Sequence, residues 1–140
     1  MSIAHKSENS KGKVFMEASL QPEGNILYCR WIGLVNEIEP SKKACLLITS
    51  LIEKHEVSLV LNDNRDQKGP WPALDDWLGS VWIPGMANAG LKKFAHIHSE
   101  NFFTEVSAKK ILQENIMGIT FKHFNSTETA KNWLFEVVNV

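Results

Sequence analysis

Asn62-Asp63-Asn64-Arg65-Asp66 follows the apolar run Leu59-Val60-Leu61 without a break. Such a run reads as a buried parallel strand, and ligands of open α/β sheets bind beyond the C-terminal ends of such strands. A carboxylate there is placed to bind Mg²⁺, accept a phosphoryl group or act as a base. The structural alternative has Asn62 to Asp66 forming turns, with Arg65 paired to Asp63, Asp66 or a carbonyl. The structural reading is expected, because polar turn residues after strands are routine.

His96 and His98 stand two apart in "LKKFAHIHS", a strand-like run, so they point to one face. His123 falls near the end of "MGITFKHF", the next strand-like run. Neighbouring strands would bring His98 and His123 together, with Asp63 one or two strands away. Three histidines and a carboxylate can hold zinc. The spacing matches no standard zinc motif, so hydrogen-bonded rim histidines and no metal are expected.

Trp71, Trp77 and Trp82 lie in or just before one helical stretch with Pro72, Pro84 and Met86. Trp77 and Trp82 stand about 140° apart on an α-helix, too far for one narrow core stripe. An indole at the surface, with Met86, suits a partner interface or an apolar-ligand pocket. A helix buried on two sides is the competing reading.

The elements that must position these residues follow from periodicity. Residues 1–12 are polar and read as a mobile tail, leaving 13–140 as one domain. "KVFMEASL" and "NILYCRWIGLV" flank a Pro/Gly turn and read as a hairpin. Ala44, Leu47, Ile48 and Leu51 lie on one helical face, with Pro40 in the first turn. "VSLVLND" is the third strand. "FFTEVSAKKILQEN" reads as a helix, and "NSTETAKNWLFEVVN" as another with Asn125 as N-cap and Glu128 at N3. The order β-β-α-β-α-β-α-β-α predicts an α/β fold with a mostly parallel five-stranded sheet.

A net charge of −1 over 140 residues offers no basic surface for nucleic acid. Cys29 and Cys45 sit in apolar contexts and read as core residues, not as a metal motif. There is no apolar leader and no run long enough to span a membrane, so a cytoplasmic protein is expected. No Gly-x-Ser-x-Gly elbow, Walker loop or Gly-x-Gly-x-x-Gly turn occurs.

Residues 61–111 resemble a bacterial STAS-like (SpoIIAA-like) family to which no reaction is assigned. The resemblance is carried by Asp63-Asn64-Arg65, Gly69-Pro70-Trp71-Pro72, Trp82-Ile83-Pro84, Phe94-Ala95 and Ser107-Ala108. It implies the STAS/SpoIIAA-like (βα) architecture from Lys13 to Val138. In the wider fold, anti-sigma-factor antagonists are phosphorylated on a Ser opening the helix after the third strand. No Ser or Thr lies between Ser58 and Ser80, so that switch is not expected here. The more distant CRAL-TRIO likeness implies an apolar pocket, which Trp71, Trp77, Trp82, Met86 and Phe94 could line.

The expectation is a non-enzymatic regulatory or protein-interaction domain without a cofactor. Its surface would be Asp63, Asn64, Arg65, Asp66, Trp71, Trp77, Trp82 and Met86, with His98 and His123 at the rim. Its partner would be another protein or a second copy. The alternative is a small apolar ligand or lipid beside the Trp71–Met86 helix.

Overall fold

The structure, a computed structural model, describes residues 4–22, 25–69, 72–98 and 113–136. Trp71, Ser107-Ala108 and most of the helix expected over residues 102–115 lie outside them. Among the described residues seven strands form one mixed sheet, and the chain is α/β. The strands are β1 (His5–Glu8), β2 (Val14–Gln21), β3 (Ile26–Leu34), β4 (Leu59–Lys68), β5 (Lys93–Ile97), β6 (Gln113–Ile116) and β7 (Ile119–Phe124). Their order is β1-β2-β3-β4-β5-β7-β6.

This overturns the five-stranded, mostly parallel STAS-like sheet. Pairing is parallel along β3-β4-β5-β7 and antiparallel at both edges. The two unforeseen strands are the edges. β1 lies in the stretch read as a tail and pairs with β2. Behind it, the Ser10 amide donates to Glu37 Oε1 at 2.9 Å. β6 occupies residues read as the end of a helix. It joins β7 through Met117 and Gly118, both at positive φ, as a two-residue hairpin turn with matching twist requires.

Helix α1 (Ile38–His55) covers one face of the sheet with a broken helical segment. That segment runs through α2 (Asp75–Trp77), a π-helical turn (Leu78–Trp82) and α3 (Ile83–Ala89). Pro84 causes the break: it has no N–H to donate, and the Ile83 N–H reaches back five residues to Leu78 O. The core on this face joins Leu27, Trp31, Val60 and Phe94 of the sheet to Ile48 and Ile52 of α1 and to Trp82 and Met86. Cys29 and Cys45 are free and buried within it.

Helix α4 (Thr127–Leu134) covers the other face, packing Ala130, Trp133 and Leu134 on Ile26, Leu61, Ala95 and Ile97. Its N-cap is Ser126, not Asn125, because the Ser126 hydroxyl accepts from the Thr129 N–H. At the far end Lys93 Nζ donates to Trp133 O and Glu136 O, at 2.9 and 3.1 Å. Among the described residues no helix is long and apolar enough to cross a membrane.

Candidate metal centre

β4 does not end at its polar residues. It runs ten residues to Lys68 and takes a bulge where Arg30 faces Asp63 but Ile32 faces Asp66. Asn62 to Asp66 is therefore strand, not the expected turns, and its side chains divide between the two faces of the sheet.

On the α1 face the Trp31 indole N–H donates to Asn62 Oδ1 and Asn62 Nδ2 donates to Asn64 Oδ1, both at 2.8 Å. Asn64 Nδ2 passes the chain on to Gln67. This satisfied row lets buried asparagines extend a core strand. On the α4 face the Asp63 carboxylate accepts the Tyr28 hydroxyl at 2.7 Å and the Arg65 backbone N–H at 3.1 Å. Arg65 Nε and Nη2 close a bidentate pair on it at 3.0 and 2.8 Å. Arg65 Nη2 also donates to Thr127 Oγ1 of α4 at 2.8 Å. Burial pushes the Asp63 carboxyl up, but the bonds from Arg65 and Tyr28 outweigh it and hold it below the usual range. Burial, then the bond to Asp63, pushes Tyr28 up to about 12. Asp66 pairs with Arg30 at 2.8 Å.

The tryptophans stand on the α1 side. Trp82 and Met86 are buried in the core, and Trp82 meets Phe94 edge-on at 5.9 Å. Trp77 is half-buried, with Lys42 Nζ 5.6 Å from its ring. The sheet thus separates Asp63, Arg65 and Asp66 from Trp77, Trp82 and Met86, and they form no common surface. It separates Asp63 from the histidines too, because Asp63 pairs with Ile97 and His96 pairs with Asn62.

The histidines do converge. His96 of β5 pairs with His123 of β7, and His98, just past the end of β5, follows on the same face. The three rings lie nearly parallel, with centroids 4.0 Å apart for His96–His98, 4.7 Å for His98–His123 and 5.6 Å for His96–His123. His98 Nε2 and His123 Nδ1 share a hydrogen bond at 2.5 Å. One nitrogen from each ring falls within 4.8 Å of the others. Two nitrogens bound to one zinc at 2.0–2.1 Å and a tetrahedral angle lie about 3.3 Å apart. The 4.8 Å limit admits that spacing once the His98–His123 hydrogen bond opens to receive the ion.

Burial opposes protonation of all three rings. Burial, then the charges of His98 and His123, pushes His96 well down. Burial, then His123, takes His98 to about 3. Burial lowers His123, against a raising influence from Glu114. Neutral imidazoles keep the lone pairs that a metal ligand needs. Three such rings form a nitrogen donor set suited to zinc and its neighbours.

The chain matches no family model, no curated protein and no solved structure. Sequence reasoning expected hydrogen-bonded histidines at the rim, and His98 and His123 are hydrogen-bonded to each other; it did not set His96 opposite His123. The missing signal was the β5–β7 register, which is non-local. Tyr28 and Thr127, which hold Asp63 and Arg65, carry no motif at all.

Proposed function

We propose that this domain binds a divalent transition metal ion of the zinc class on His96, His98 and His123. One observation carries the reading: a nitrogen from each of three rings, on two neighbouring strands, lies within 4.8 Å of the others. The three histidines stand at the C-terminal end of the parallel strands, the rim where open α/β sheets hold ligands. The interaction-domain reading draws no support from Trp82 and Met86, which are core residues. An apolar ligand seated beside them would have to displace the chain's own core.

Tag-free protein stripped with chelator tests the proposal. Calorimetric titration with zinc is expected to give one ion per chain. At zinc a hundredfold above Kd, the melting free energy should rise by about 2.7 kcal/mol. His98→Ala and His123→Ala are each expected to weaken zinc affinity by about a hundredfold or more, since each deletes a ligand. A wild-type protein that takes up no zinc and melts unchanged in its presence would refute the reading.

A further inference from the structure

Three histidines leave one position of a tetrahedral zinc ion open. We infer that Glu114 of β6 fills that position, so that the ion clips the edge strand to the sheet. The inference rests on the three-histidine reading above.

The register of the β6–β7 hairpin places the residue. Glu114 pairs with Phe121, and directly paired residues share a face. Phe121 stands against Phe94, 5.1 Å between ring centroids, on the face that carries the histidines. His123 is two residues beyond Phe121 on the same strand and face, which makes it a diagonal neighbour of Glu114. Diagonal neighbours lie about 7–8 Å apart, within reach of a long side chain.

Chemistry favours the same residue. Zinc takes carboxylate oxygen at about 2.0–2.2 Å, close to its distance to imidazole nitrogen. Imidazole binds zinc as a neutral ligand, so a carboxylate would supply the only anionic ligand among those named. Glu114 is exposed, and among the described residues it makes no ion pair or hydrogen bond that coordination would break. β6 has four residues and, among the described strands, pairs only with β7. A ligand on β6 would tie it to β5 as well, through the ion.

Zinc titration and hydrogen exchange on wild type and Glu114→Gln test this. In wild type, zinc is expected to slow amide exchange across 113–118 about tenfold or more. Glu114→Gln should bind zinc about ten- to a hundredfold more weakly and show no such slowing. Its metal-free melting should match wild type, as befits an exposed position. If Glu114→Gln binds zinc as tightly and protects 113–118 equally, Glu114 is not a ligand, and the three-histidine site stands. If wild type binds no zinc, both inferences fall together.

Discussion

Asp63→Ala is expected to destabilise the domain by about 3 kcal/mol, a large share of the roughly 5–15 kcal/mol that holds a domain folded. The carboxylate is 3% exposed and accepts from Tyr28 and from three Arg65 groups. Its removal leaves the Tyr28 hydroxyl and the Arg65 amide without their acceptor beneath α4. Each group left unsatisfied in a buried site costs about 1–3 kcal/mol. Arg65 softens the loss: its side chain is 39% exposed, and its guanidinium can turn to water. That places the expected figure at the lower end of the range for broken buried pairs. Asp63→Asn should cost less, because its amide oxygen can still accept from Tyr28. Denaturant unfolding of both variants measures the difference. An Asp63→Ala protein as stable as wild type would show that the network does not hold the β4 bulge to α4.

Acid should unfold the domain early. The three histidines are depressed by burial and, for His96 and His98, by their neighbours' charge. In the unfolded chain they titrate near 6.5. Below that pH the unfolded chain therefore binds more protons than the native one, and native stability falls as pH drops. It is complete above 6.5, and for His98 the loss continues down to about 3. Asp63 adds to the loss only as pH falls through its unfolded value of 3.8, where it overlaps the acid end of the His98 window. In metal-free protein the denaturation midpoint should be flat from pH 8 to 7 and then decline. The slope should correspond to between one and three protons taken up on unfolding. His98→Gln should reduce that slope by about one proton. A midpoint that stays level from pH 6.5 to 5 would show the rings to be ordinary surface histidines.

The parts of the fold that could be read locally were those whose burial is written in their own residues. Leu59 to Leu61 is apolar because β4 is covered on both faces: Val60 meets α1 and Leu61 meets α4. Ala44, Ile48 and Leu51 repeat at helical spacing because α1 has one buried face. The edge strands lack such a mark. His5-Lys6-Ser7-Glu8 and Gln113-Glu114-Asn115-Ile116 are mostly polar, and what makes them strands is a neighbour offering a free ladder. That information resides in β2 and β7. Both hairpins also reverse the local direction, so the sheet is mixed rather than mostly parallel.

The site was legible in part for the same reason. His96-x-His98 sharing a face follows from strand alternation alone. That His123 lies opposite His96 follows only from the register of β5 on β7. The polar burst after Leu61 resembles a turn because a local reading cannot see Trp31, which satisfies Asn62 from the next strand. Asp63 and the indoles are near in sequence, yet the sheet runs between them. Trp82 is carried into the core by a π-helical turn that Pro84 imposes, and an ideal α-helix does not forecast it.

Anomalous diffraction at the zinc edge, on crystals grown with zinc, most directly probes the metal centre. The expected result is one peak per chain, about 2.0–2.1 Å from a ring nitrogen of each of His96, His98 and His123. A map with no peak among these three rings, in crystals where they are well ordered, would contradict it.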